Sequence, residues 1–396
     1  MAAERTAGNA QAALLLFGSC LPVLGAVLIA PVLPRMHAHF AETPGVAVLV
    51  PVALTLPALI IALLAPLAGV MADRVGRRAL LLASMLLYSL CGLLPLWLDS
   101  LVLIVASRAG IGLAEAGIMT CCTTLMGDYF DGQRRARLFA LQMVVTSLAA
   151  ALFMGVGGAL GESDWRTPFT LYAVGALCLP LMALLLWEPR ACQTASEATV
   201  DSRFPWAALT LLYLLTVLAG VSLFIVPVQA GYVLQLLHID APRQVGLAMG
   251  ANQLGVLAGA LAFRLLARLP AGRLLALGFA TAGLGGGLMA LASSHAPVVL
   301  AVLINGLGVG LLLPTLITLV MQQVGFDQRG RATGGFTSAI FAGEFVSPLI
   351  VLALTAGVAT QLPHALLLVA IGQLLLAPVC LSLMRHRRPV MVAGAR

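Results

Sequence analysis

Gly69-Val70-Met71-Ala72-Asp73-Arg74-Val75-Gly76-Arg77-Arg78 sets one acid, three arginines and two glycines between two long apolar runs. Glycine tolerates close backbone approach and unusual dihedrals, so the stretch reads as a tight turn. Its charges would sit in water while the flanking runs sit in lipid. The rest of the chain requires that solvent. Hydrophobic residues make up 61%, charged residues 9%, and the mean hydropathy is +1.04. Soluble domains carry about 25% charged residues. No water-soluble core could hide so much apolar surface, so the chain is expected to live in a bilayer.

A helix crossing the hydrocarbon needs roughly 20 apolar residues. Such runs predict spans at 12–34, 45–68, 79–97, 100–126, 138–160 and 167–188, then at 205–236, 244–266, 274–292, 298–324, 332–356 and 363–384. The expected fold is an all-α polytopic membrane protein of twelve transmembrane helices. Residues 1–188 form one six-helix half, 189–204 a cytoplasmic linker, and 205–396 a second half with a short basic tail. The halves repeat weakly: Gln133-Arg134 and Gln328-Arg329 follow spans four and ten, and Gly76-Arg77 and Gly272-Arg273 open spans three and nine, at offsets of 195 and 196 residues. A parallel repeat of this kind predicts pseudo-symmetric halves around a cavity near mid-membrane.

The net charge of +7 does not point to nucleic acid, because the charges are scattered through short loops rather than gathered on one face. Every basic residue is an arginine. With the N-terminus inside, 18 arginines fall in cytoplasmic segments and three (Arg35, Arg166, Arg243) in outside loops. That bias predicts two cytoplasmic termini. Met1 to Gln11 reads as a retained cytoplasmic tail, since the span that follows is too long for a signal-peptide core. The seven cysteines show no metal-ligand spacing, and neither a disulfide nor a zinc site is expected. No Walker, metalloprotease or nucleophile-elbow pattern is present, so an enzyme and an ATP-driven pump are both disfavoured and no cofactor is expected.

The pattern across Gly69, Asp73, Arg74, Gly76, Arg77 and Arg78 resembles the signature loop of the major facilitator superfamily of secondary transporters, roughly G-x-x-x-D-R-x-G-R-[RK]. The resemblance implies a conformational latch: Asp73 near the N-terminus of another helix, with the arginines as partners. A carboxylate is stabilised at such a place by the helix dipole and nearby guanidinium groups. Arg108-x-x-x-Gly112-x-x-Glu115-Ala116 also resembles organic-anion symporters and sphingolipid transporters of the same superfamily. Gly155-Val156-Gly157-Gly158 keeps the Gly-Gly of a motif found in drug-exporting members but lacks its Gly-Pro.

Three charges lie inside spans: Arg108, Glu115 and Glu344. A charge at the bilayer centre costs about 2.5–3.5 kcal/mol on insertion scales, so such residues usually face a cavity and act there. Arg108 and Glu115, seven residues apart, share a helix face with about 10 Å between Cα atoms. Arg108 is expected to pair with Glu115, and Glu115 or Glu344 to carry a transported proton. Pro348 marks a hinge beyond Glu344. Gln142, Gln229, Tyr232, Asn252, Gln253 and Asn305 are the remaining cavity-lining candidates, Asn305 foremost; each could instead form an interhelical hydrogen bond. Gly306, Gly308 and Gly310 read as close-packing positions. His37-x-His39 lacks a third ligand and reads as a solvated loop, not a metal site.

These features predict a proton-coupled exporter of a small amphipathic molecule, drug-like or a secreted metabolite such as a siderophore, working as a monomer in the bacterial inner membrane. Its partners would be the substrate, protons and lipid. The alternatives are an organic-anion symporter with Arg108 holding the carboxylate, a lysolipid or sphingolipid-like carrier, and, least favoured, a passive channel.

Overall fold

The computed structural model describes residues 7–189, 205–324 and 328–383. Twelve helices among the described residues are long and apolar enough to cross a membrane. They are α1 (Asn9–His39), α2 (Val46–Val75), α3 (Arg77–Leu93), α4 (Leu101–Tyr129), α5 (Gly132–Leu160) and α6 (Ala173–Leu185, entered through a 3₁₀ turn at Thr167–Tyr172). After the linker come α7 (Trp206–Leu236), α8 (Pro242–Leu266), α9 (Ala271–Ala290), α10 (His295–Met321), α11 (Arg329–Thr355) and α12 (Leu362–Leu383). The expected all-α fold is what the chain adopts. Successive helices run in opposite directions. The end of the bundle where α1 begins is called the near end, and the other the far end. The linker from residue 190, both termini and Cys192 lie outside the described residues.

Two expectations about local structure need correction. The stretch 69–78 is not a loop, because α2 continues as helix through Val75. Nothing in Val70–Val75 breaks a helix, so the turn is compressed into Gly76 at φ +96°, and α3 starts at the next residue. A left-handed φ of this kind is the one that glycine adopts cheaply. Gly69 has open space around it and allows no close approach. Span one is not a single rod either. It is built of Asn9–Gly18, Leu21–Val27, a 3₁₀ turn at Ala30–Val32, and Leu33–His39. Pro22, Pro31 and Pro34 withhold amide donors along it and cause the breaks.

Helices of the two halves meet along α5–α8 and α2–α11. The α5–α8 crossing is made of glycine at its far end. A Cβ on Gly158 would strike the Pro242 carbonyl and lie 3.1 Å from Gly246 Cα, and one on Gly246 would strike the Met154 carbonyl. Gly157 abuts the Leu28 carbonyl of α1 in the same way. Gly306, Gly308 and Gly310 of α10 lie backbone to backbone against α8 and α9. Toward the near end α5 separates from α8, and residues 140–148 are largely exposed or half-buried.

Candidate functional site

The divergence of α5 from α8 leaves a cavity of about 380 Å³ at the middle of the bundle and toward the near end. Its walls come from α1, α2, α4 and α5 on one side and α7, α8, α10 and α11 on the other. Most of the lining is apolar, with Val23, Leu54, Ile61, Phe224 and Phe341 among it. Glu115 and Glu344 are the only titratable side chains in the lining among the described residues, and no arginine or histidine accompanies them. Glu115 comes from the first half and Glu344 from the second.

Each carboxyl is positioned by a glycine. Glu115 Oε1 lies against Gly25 Cα, where any Cβ would displace it, and this oxygen is buried without a hydrogen-bond partner. Gly343, next to Glu344, lies against the Val217 carbonyl and Gly220 Cα of α7. That close approach of α11 to α7 fixes the depth at which Glu344 enters the cavity. Glu344 is 5% exposed, has no hydrogen bond among the described residues, and sits one turn before Pro348 inside α11.

Arg108 does not do what its spacing suggested. It is wholly buried, is absent from the cavity wall, and forms no ion pair with Glu115. Its Nε donates to the Ala53 carbonyl (3.0 Å), Nη1 to the Tyr172 hydroxyl (2.6 Å) and Nη2 to the Gly25 carbonyl (2.6 Å). The guanidinium therefore ties α4 to α1, α2 and the turn before α6. Tyr88 completes the cluster: its hydroxyl donates to the Leu21 carbonyl at 2.7 Å and its ring lies 5.1 Å from Tyr172. Sharing a helix face is no guarantee of contact, and three preformed acceptors outcompete one carboxylate two turns away.

The polar candidates divide three ways. Gln142 and Gln253 line the central cavity, and Gln142 donates to Ser19 Oγ at 2.8 Å. Asn252 and Asn305 do not line it. Asn252 donates to the Val302 carbonyl (2.7 Å) and to Asn305 Oδ1 (3.3 Å), and Asn305 donates to the Ala282 carbonyl (2.9 Å). They join α8, α9 and α10 as interhelical hydrogen bonds. Gln229 and Tyr232 line a separate far-end cavity together with His37.

At the near end, the Asp73 side chain lies outside the described residues, and its backbone is part of α2. Among the described residues here, the carboxylate at a helix N-terminus is Glu188, which the sequence reading missed. It accepts the Arg77 and Arg78 backbone N–H groups at 2.7 and 2.8 Å, at the start of α3. Arg77 also pairs with Asp128, and Arg78 Nη2 donates to the Ala183 carbonyl at 2.6 Å. Arg74 is exposed at the end of α2. An acid directly before the Pro189 that ends the sixth span was the available signal for Glu188.

Residues 15–348 match the family profile of the Major Facilitator Superfamily. The tetracycline resistance protein, class H, of Pasteurella multocida is 29% identical over 199 residues, 50% of this chain and 48% of that protein. The quinolone resistance protein NorA of Staphylococcus aureus is 24% identical over 220 residues, 54% and 56% of the two chains. The class C tetracycline resistance protein of Escherichia coli is 34% identical over 174 residues, 42% of each. The chain thus spans about half the length of the curated relatives it matches. Among solved structures, a bacterial homologue of the lysosomal transporter Spinster, inward-facing and occupied, superposes with a TM-score of 0.78 at 14% identity, covering 95% of this chain and 96% of that one. The nucleoside transporter NupG gives 0.74 at 15%, covering 93% and 99%. The twelve spans and the profile agree: the chain belongs to the Major Facilitator Superfamily.

Proposed function

We propose that this transporter exports a small amphipathic organic molecule, preferentially cationic, in exchange for protons. The observation that carries the reading is the central cavity: an apolar chamber whose only titratable lining groups among the described residues are two carboxyls, one from each half, with no basic side chain in its wall. Such a chamber holds an apolar body through its walls and a positive charge through an acid. A carboxyl without an arginine partner can be neutralised in two ways, by a proton or by a cation, and the two exclude each other. Binding protons from one side and the organic cation from the other then couples their movements.

Two observations support this direction. The arginine bias argues for the near end as the cytoplasmic one, so the central cavity would lie toward the cytoplasm, while α5 and α8 are held together at the far end by their glycine contact. The relatives carry the names of resistance proteins, which fits removal of compounds from the cell. The cycle would break the glycine contact at the far end and close α5 on α8 at the near end. Organic-anion symport loses its anchor, because Arg108 has no path to the cavity and all its nitrogens are engaged.

The test is transport in proteoliposomes with an imposed pH gradient, using tetraphenylphosphonium as a cationic probe and benzoate as an anionic one. Gradient-driven movement of the cation is expected in the wild-type protein. Glu344→Gln and Glu115→Gln, tested singly, should each lower it at least ten-fold. Full gradient dependence in both variants, or movement of benzoate alone, would refute the reading.

A further inference from the structure

The far-end cavity is as large as the central one, about 380 Å³, yet differs in chemistry. It lies between the halves, walled by the ends of α1 and α7, the start of α2, and the last turns of α11. Its lining contains no acid and no arginine among the described residues. The polar groups are His37, Gln229, Tyr232, Gln235 and Thr355, set among prolines and aliphatic side chains such as Pro51, Pro348 and Val351.

Two of these polar groups have no protein partner. Gln229 is 6% exposed and its amide makes no hydrogen bond among the described residues. The Tyr232 hydroxyl is buried and also unpaired. Buried polar groups in proteins are nearly always satisfied, and those that are not call for an explanation such as a missing ligand. Elsewhere Asn305, Gln142 and Gln373 each find partners across helices. The exceptions in this cavity are on one face of α7, three residues apart. The Tyr232 and His37 rings meet edge to face, 6.2 Å between centroids and 86° between planes, and form an aromatic corner beside them.

We propose that this cavity is a second binding site, for an uncharged aromatic molecule or moiety bearing an amide, carbonyl or hydroxyl group. Gln229 supplies both a donor and an acceptor, and Tyr232 a hydroxyl that can do either. The apolar walls and the aromatic corner take a ring. The volume is at the lower end of the range for ligand pockets, which suits one or two rings. A cation gains no ionic partner here, so the two chambers select different charge states. Glu344 lines one chamber and Pro348, one turn on in α11, lines the other, and Pro348 cannot donate to the Glu344 carbonyl. The site stands whether or not the transported molecule is a cation.

The test is calorimetric titration of the purified full chain with N-phenylbenzamide, an uncharged two-ring amide. Saturable binding is expected, weakened at least ten-fold in the Gln229→Leu, Tyr232→Phe double variant and at least three-fold in Tyr232→Phe alone, which keeps the ring and its packing. Glu344→Gln, which probes the central chamber, should change transport but leave this affinity within two-fold. Absence of saturable binding overturns the proposal. So does binding that survives the double variant and disappears in Glu344→Gln or Gln253→Leu, because the amide would then occupy the central cavity. Failure of cation transport in the wild-type protein would remove the export reading and leave this site intact.

Discussion

Arg108 commits its guanidinium to two backbone carbonyls and a phenol contributed by three different helices. Removing it leaves those acceptors and the Tyr172 hydroxyl buried without their donor. Arg108→Ala should therefore lower stability by about 2–3 kcal/mol, read as a fall in the unfolding temperature in detergent. Arg108→Lys should recover little of it, because one ammonium cannot reach acceptors arranged for a planar fork. A loss of transport with no loss of stability would contradict this structural role. The residue was conspicuous in the sequence, being an arginine in the middle of a span, but its partners were not. Ala53, Gly25 and Tyr172 are 55, 83 and 64 residues away and carry no signal of their own. Glu115 and Glu344 were legible for the opposite reason. A lone acid in an apolar run needs no partner to be noticed, and both line the cavity. Asn305 was equally noticeable, yet it faces a neighbouring helix. Helical periodicity does not say which face meets water and which meets protein.

At the scale of the helices, the near-end turn between α2 and α3 shows how a backbone terminus is held. Glu188 accepts two free amides at the first turn of α3. A capping carboxylate on unpaired helix amides is worth about 1–2 kcal/mol. Glu188→Ala should lower stability by that amount, and Glu188→Gln should restore part of it, both measured by thermal unfolding. The α5–α8 crossing offers a sharper prediction. A methyl group at Gly158 would meet backbone atoms, which cannot rotate away. Gly158→Ala should force the far end apart at a cost of about 1–3 kcal/mol. A cysteine placed at Tyr232 should then react faster with a membrane-impermeant maleimide than in the parent background; unchanged reactivity would mean that the crossing is not the seal. Helix positions were readable from hydropathy to within a few residues, because lipid imposes a length. The breaks in α1 were written in its prolines. The extension of α2 through Val75 was hidden by its charges, since Asp73 and Arg74 suit a water-exposed helix end as well as a loop.

At the scale of the whole molecule, the arginine asymmetry and the position of the cavity give one expectation. On a cysteine-free background, a cysteine at Arg134 should be labelled only from the cytoplasmic face and one at Arg166 only from the other. Labelling with the two faces exchanged would invert the direction of transport proposed above. The division of the chain into related halves was visible as a faint repeat. A cavity between them was expected from that repeat, but its opening toward the near end was not, because it depends on where α5 and α8 diverge, and divergence of two helices is a property of the assembled bundle. The seal between those helices is made of main-chain atoms and glycines, whereas the cavity wall is made of side chains. Mechanical movement and chemical selectivity are thus encoded by different atoms at different positions. Substitutions at Phe341, Met143 or Gln253 can redirect selectivity without touching the joint on which the halves turn. A lineage under changing chemical challenge could alter its cargo by single steps, each leaving the machine in working order.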